Sequence, residues 1–152
     1  MLHMLSYAPT WLALPVALPM IGAGLLLLVA RLGFGRRFVL QRWVAGITSA
    51  LCVLLALWIM AQTTAGPQGQ RIVYQMGNWP APFGITLVAD TFTAIMLLMT
   101  GLLMLATIPF AAGTLDNHRE SMVFYPIALL LLMGMNGAFL AGDFFNLYVF
   151  FE

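Results

Sequence analysis

Long apolar runs, separated by short polar stretches, make up most of the chain. A run of about 20 apolar residues is long enough for an α-helix to cross a hydrocarbon core about 30 Å thick. Four such runs are present, at 11–32, 43–62, 90–112 and 121–140, and a fifth apolar segment occupies 143–152. The pattern predicts an all-α integral membrane protein with four full transmembrane helices and the first half of a fifth. A helix that stops near mid-bilayer leaves carbonyl groups without partners, so we expect the amino-terminal part of a longer protein.

One longer polar stretch, 63–89, separates the second and third apolar runs and has a different pattern. Its residues 71–76 alternate between two faces, and 85–88 is rich in residues that favour strands. Breakers at 77–82 lie between these two segments. The sequence predicts a short β-hairpin at the outer membrane surface, with a structural role and with Trp79 at the interface.

Charge is scarce and unevenly distributed. The chain is 62% hydrophobic and 7% charged, whereas soluble domains carry about 25% charged residues. Four of the six basic residues lie in the predicted connection between the first two helices: Arg31, Arg36, Arg37 and Arg42. Such clusters remain on the cytoplasmic side, which predicts an outer amino terminus. The same rule explains the cluster better than a nucleic-acid or phosphate site does, so we expect no nucleic-acid partner.

Enzyme chemistry is not indicated. Cys52 is the only cysteine and lies inside an apolar run, which excludes an internal disulfide and a cysteine-rich metal site. The sequence contains no metal-ligand cluster, no nucleophile with a positioned base and no glycine-rich phosphate loop. We therefore expect a protein without catalytic residues, metal or cofactor.

Two polar residues and a pair of prolines have alternative interpretations. Asp90 begins the third predicted helix and is expected to cap it, with an ion site as the less favoured alternative. Pro15 and Pro19 predict a kink, either an ordinary packing feature or a hinge. Asn136 lies between glycines in the fourth helix. It is interpreted first as a hydrogen-bonding contact between helices and second as a support for a hydrated path.

The strongest candidate for function is Glu152. If Asp143 caps the fifth helix at one membrane face, Glu152 lies about 13.5 Å deeper, near the middle of the hydrocarbon core. An ionisable group at that depth is costly and usually functional, although this one also ends the chain, where it could instead meet water. Tyr148 and Val149 share its helical face, and Tyr148 is a possible hydrogen-bond donor or a packing aromatic.

These residues suggest a mechanism. Burial in hydrocarbon favours the protonated acid, whereas a cation within about 4–6 Å favours the carboxylate. Movement of a cation toward or away from Glu152 would therefore release or load a proton. This hypothesis assigns proton translocation to Glu152, with Tyr148, Asn136 and Asp143 as possible supports.

The segment 142–152, Gly-Asp-Phe-Phe-Asn-Leu-Tyr-Val-Phe-Phe-Glu, resembles the fifth-helix signature of the D subunit of Mrp-type (Pha, Mnh) multisubunit cation/proton antiporters. The segments 74–85 and 87–90 resemble the outer hairpin and the third-helix entry of that subunit, and the two prolines of the first helix are also typical. The resemblance implies a bacterial inner-membrane protein of about fourteen helices, built from two inverted repeats.

The resemblance also implies a function and partners. The expected partners are other subunits of an antiporter complex, protons, Na⁺ or K⁺, and the lipid bilayer. In the family the fifth-helix glutamate pairs with a lysine on the seventh helix; only Glu152 has a counterpart here, because the chain contains no lysine. Two alternatives remain: an antiporter-like subunit of NADH:quinone oxidoreductase or of a membrane-bound hydrogenase, and a membrane scaffold subunit that transports nothing.

Overall fold

The computed structural model describes residues 10–31, 37–65, 70–79, 84–115 and 123–152. A turn of 3-10 helix, Thr10–Ala13, leads into the first α-helix. The elements are α1 (Leu14–Arg31), α2 (Arg37–Thr64), β1 (Ile72–Gln75), β2 (Thr86–Ala89), α3 (Thr91–Thr114), α4 (Phe124–Leu140) and α5 (Phe144–Phe151). The predicted architecture of membrane helices with one small hairpin is confirmed.

Three helices, α1 with its 3-10 turn, α2 and α3, are long and apolar enough to cross a membrane. The fourth, α4, is also apolar and has 17 residues, which is about the lower limit for a span. The chain is therefore a multi-pass membrane protein. Many large apolar side chains are exposed on the outside of the helices, for example Leu103 and Phe110 on α3. Such faces suit lipid or neighbouring membrane helices.

The bundle is held together by small residues at the helix crossings. A side-chain carbon at Gly22 of α1 would lie 2.8 Å from Thr48 Oγ1 of α2 and 3.0 Å from Leu129 of α4. One at Gly101 of α3 would lie 2.9 Å from Val53 of α2. Close approach at small residues replaces the hydrophobic driving force that is absent between helices in lipid.

The helix ends correct several predicted boundaries. The second helix begins at Arg37, six residues before the predicted start at 43, so Arg37 and Arg42 belong to α2 rather than to a loop. Arginine is a good helix former, and a helix can continue beyond the hydrocarbon core. The guanidinium of Arg42 donates to the carbonyl of Ala112 at 3.4 Å, which joins α2 to α3 at that end. Arg36 lies outside the described residues.

Two further boundaries shift less. The third helix continues through Pro109 and ends at Thr114, two residues beyond the prediction. The fourth begins at Phe124, and the predicted start at 121 lies outside the described residues. Pro126 then falls in the first turn of α4, where its missing N–H has no intrahelical partner to lose.

The hairpin pairs β1 with β2 in antiparallel register, from Ile72 opposite Ala89 to Gln75 opposite Thr86. Half-buried and exposed residues alternate along β1, as the sequence predicts. Gly77 lies in the turn with φ of 68°, a conformation that favours glycine. The turn residues 80–83 are outside the described ranges.

Candidate functional site

The fifth helix begins at a side-chain cap. The Asp143 carboxylate accepts the backbone N–H of Asn146 at 2.8 Å, so the predicted cap is confirmed. Such a cap satisfies one of the backbone donors that the first helical turn leaves unpaired. It fixes the residue at which α5 starts.

The β-hairpin holds the segment that precedes this cap. Leu87 of β2 forms an antiparallel bridge with Ala141, and the N–H of Gly142 donates to the Thr86 carbonyl at 2.8 Å. A side-chain carbon at Gly142 would lie 2.7 Å from Val88 Cγ2 and 3.0 Å from the Thr86 oxygen. The α4–α5 turn is therefore joined to β2 by one isolated bridge and one further backbone hydrogen bond, and a glycine permits this close approach.

Asn146 also connects α5 to the hairpin, a role that is not among the sequence predictions. Its side-chain nitrogen donates to the Asp143 carboxylate and, at 3.5 Å, to the carbonyl of Gly84. Asn146 is 5% exposed, although its neighbours Phe144 and Phe145 are 89% and 66% exposed. The sequence does show an amide three residues after a capping aspartate, which indicates a bond between the two. It does not indicate the contact with Gly84, which is 62 residues away in sequence.

The other end of α5 packs against two glycines of α4. A side-chain carbon at Gly137 would collide with the ring of Phe150, and one at Gly134 would lie 3.1 Å from the Phe150 carbonyl. The two glycines beside Asn136 therefore allow α5 to approach α4 closely. The lack of side chains at these two positions brings the end of α5 against α4.

Glu152 lies beside this crossing, on the wall of an apolar groove of about 750 Å³ between α1, α4 and α5. Val16 and Met20 contribute from α1, Phe139 from α4, and Val149 from α5. Glu152 is the only ionisable group among the described residues that line the groove. Its carboxylate is exposed and has no ion-pair partner within the described part of the chain.

The three predicted supporting residues differ in their positions relative to Glu152. The Tyr148 side chain is 64% exposed and does not line the groove, whereas Val149 does. Asp143 lies at the opposite end of α5. Asn136, 2% exposed, is bonded to other helices.

Asn136 joins three helices. Its side-chain nitrogen donates to the Pro15 carbonyl of α1 at 2.8 Å, and its oxygen accepts from the Thr100 hydroxyl of α3 at 3.1 Å. In an α-helix the carbonyl of residue 15 would accept from the N–H of residue 19, but Pro19 has none. These bonds agree with the first interpretation of Asn136, a hydrogen-bonding contact between helices.

Asp90 caps α3 at the junction with the hairpin. Its carboxylate accepts the N–H of Thr93 at 2.8 Å, which agrees with the predicted capping role. This hydrogen bond, together with the nearby Arg71 guanidinium, holds the pKa of Asp90 below its ordinary value. The described residues contain no group of three or more His, Cys, Asp or Glu that could hold a metal ion.

The fold and the site thus define a class: a multi-pass membrane protein with a short helix that places one acidic group on the wall of an apolar groove. No protein-family model matches the chain. Curated relatives do. The chain is 38% identical over 139 residues to the D subunit of the Na(+)/H(+) antiporter of Alkalihalophilus pseudofirmus, covering 91% of the chain and 27% of that protein. It is 39% identical over 144 residues to the D subunit of the probable K(+)/H(+) antiporter of Rhizobium meliloti, covering 93% of the chain and 25% of the relative.

Two further matches are a subunit of a respiratory complex and a solved structure. The N subunit of NADH-quinone oxidoreductase of Desulforudis audaxviator is 34% identical over 141 residues, 90% of the chain and 26% of that protein. The structure of the Mrp complex from Dietzia sp. DQ12-45-1b matches with a TM-score of 0.78 and 32% identity, over 93% of this chain and 25% of the matched one. The resemblance to the D subunit of Mrp-type antiporters is confirmed over most of the chain, which spans about a quarter of the length of these relatives.

Proposed function

We propose that the chain belongs to a subunit of a multisubunit antiporter that exchanges Na⁺ or K⁺ for protons, and that Glu152 carries the proton. The observation that supports this most strongly is the position of Glu152: it is the only ionisable group among the described residues lining an apolar groove. It also lies about 13.5 Å beyond Asp143, the residue that caps α5. An ionisable group inside a membrane protein is usually part of an ion or proton pathway.

The proposed mechanism requires two states of one carboxyl group. In apolar surroundings the neutral acid is favoured, and Glu152 takes a proton from one side. A cationic charge that approaches Glu152 favours the carboxylate, and the proton leaves toward the other side. The partner charge would come from a part of the protein outside this chain. The names of the relatives support both Na⁺ and K⁺ as the exchanged cation.

The proposal includes a location and partners. The relatives are named as subunits, which supports assembly with other subunits of a complex. We place the protein in the bacterial inner membrane, with its amino terminus outside and Arg31, Arg37 and Arg42 at the cytoplasmic side. The positive-inside rule supports this orientation, since these arginines lie at one end of α1 and α2.

A redox-driven proton pump is the second candidate, favoured by the match to the N subunit of NADH-quinone oxidoreductase. It would use the same carboxylate but a different energy source. The two functions therefore differ in what starts proton movement, a cation gradient or an electron donor.

The test uses membrane vesicles that contain the full-length protein assembled with its partner subunits. Proton movement is recorded after addition of Na⁺, K⁺ or an electron donor. We expect Na⁺ or K⁺ to start exchange, Glu152→Gln to abolish it, and Asp90→Asn, which removes a carboxylate but keeps a capping oxygen, to retain it. Unchanged exchange in Glu152→Gln would refute the role of Glu152. Proton movement that responds only to the electron donor would favour the pump.

A further inference from the structure

Asn146 is buried on a helix that is otherwise largely exposed. It is 5% exposed, whereas Phe151 is 85% exposed. Its amide nitrogen donates to the carboxylate of the cap residue Asp143 and, at 3.5 Å, to the Gly84 carbonyl beside β2. This side chain therefore connects the first turn of α5 to the hairpin.

The hairpin is itself fixed to the helical bundle. Leu87 and Ala89 of β2 are buried in one apolar cluster with Ala94 of α3 and Leu140 of α4. Thr93 adds a hydrogen bond of 3.3 Å to the Phe139 carbonyl, which joins the start of α3 to the end of α4. A packed hairpin is a rigid reference for any segment bonded to it.

The contacts at the two ends of α5 differ in kind. At the carboxyl-terminal end of α5, Phe150 packs against Gly134 and Gly137, and this contact contains no hydrogen bond. At its start, the hairpin contributes the directional bonds, through Gly142 and Asn146. Hydrogen bonds fix rotation and translation more narrowly than apolar contact does. Glu152 lies six residues, or about 9 Å, beyond Asn146.

We propose that Asn146 is a positioning residue for proton transfer. Together with Gly142 it fixes the position of α5 relative to the hairpin, and this position sets the depth and orientation of the Glu152 carboxyl group. The inference rests on the proposed function of Glu152. It also gives the outer hairpin a specific task, because a shift of the hairpin would be passed along α5 to the carboxyl group.

Asn146→Leu tests the proposal, since leucine is similar in size but cannot donate. In the assembled complex, cation-driven proton exchange is measured against pH and divided by the amount of complex. We expect the pH of half-maximal exchange to move by about half a unit or more, because the surroundings of Glu152 change. Gln75→Leu, an exposed amide on β1, is the matched control and should leave the profile in place.

Gly142→Ala disturbs the contact between the hairpin and the start of α5 at the backbone of Gly142. It tests the same proposal if the Asn146→Leu complex does not assemble. Its control is Gly24→Ala, where an added carbon meets nothing within 4 Å. A change only in the amount of complex, with an unshifted profile, would overturn the proposal and leave Asn146 a stabilising residue. The proposed function fails separately, if Glu152→Gln exchanges protons normally.

Discussion

The side-chain nitrogen of Asn136 lies 2.8 Å from the carbonyl oxygen of Pro15 and donates to it. Pro19, one turn after Pro15, cannot donate to that carbonyl. An amide on α4 therefore replaces a hydrogen bond that α1 lacks. The proline pair and Asn136, which are far apart in the sequence, form one structural unit.

Removing Asn136 should leave the Pro15 carbonyl without a partner. We expect Asn136→Leu to lower the free energy of unfolding by about 1–3 kcal/mol. In a Pro19→Ala background the cost should be smaller, since the restored N–H can bond the Pro15 carbonyl. Denaturant unfolding of the four variants in detergent measures this coupling. An equal cost in both backgrounds would contradict the explanation, and Gln62→Leu, at an exposed amide, serves as the control.

Asp90 should make α3 sensitive to acid. Because the pKa of its carboxyl is lowered in the folded protein, its contribution is present above the unfolded value of about 3.9 and is lost as pH falls through the folded value. Asp90→Ala is expected to cost about 0.5–2 kcal/mol near neutral pH. Thermal unfolding between pH 3 and 7 checks this, compared with Asp90→Asn, which caps at every pH. If the difference in stability between the wild type and Asp90→Asn stays constant down to about pH 3, the Asp90 carboxylate is not the source of the acid sensitivity.

The helices and the hairpin follow from local features of the sequence, namely apolar length, strand alternation and glycine or proline breakers. The caps Asp90 and Asp143 were predictable for the same reason. The start of α2 was not, because arginines suit both a loop and a helix end. The role of Asn146 depends on a carbonyl 62 residues away, which no local pattern encodes.

The crossing of α4 and α5 should not tolerate a side chain at Gly137. Gly137→Ala would collide with the Phe150 ring, so α5 must move or the ring must turn. We expect a loss of about 1–3 kcal/mol in stability and less assembled complex. Gly24→Ala and Gly46→Ala, where the added carbon meets nothing within 4 Å, should be neutral or slightly stabilising. A neutral Gly137→Ala would show that α5 is not packed against α4 as described.

Gln41 of α2 is expected to reduce stability. It is 1% exposed, and neither of its side-chain polar atoms has a hydrogen-bond partner among the described residues. Gln41→Leu removes this buried polar group with little change in volume. It should raise the free energy of unfolding by about 1–3 kcal/mol, whereas the exposed Gln62→Leu should change it by about 0.5 kcal/mol or less. Chemical unfolding in detergent decides between these values. A loss of stability in Gln41→Leu would contradict this explanation and mean that the Gln41 amide has a hydrogen-bond partner in the folded chain.

The central claim is that the Glu152 carboxyl gains and loses a proton during exchange. Infrared difference spectroscopy of the assembled complex observes this directly, through the carbonyl band of a protonated carboxylic acid. We predict that Na⁺ or K⁺ removes such a band in the wild type, that the change is absent in Glu152→Gln, and that Asp90→Asn retains it. The same cation-dependent band change in wild type and Glu152→Gln would assign the proton to another group and contradict the account.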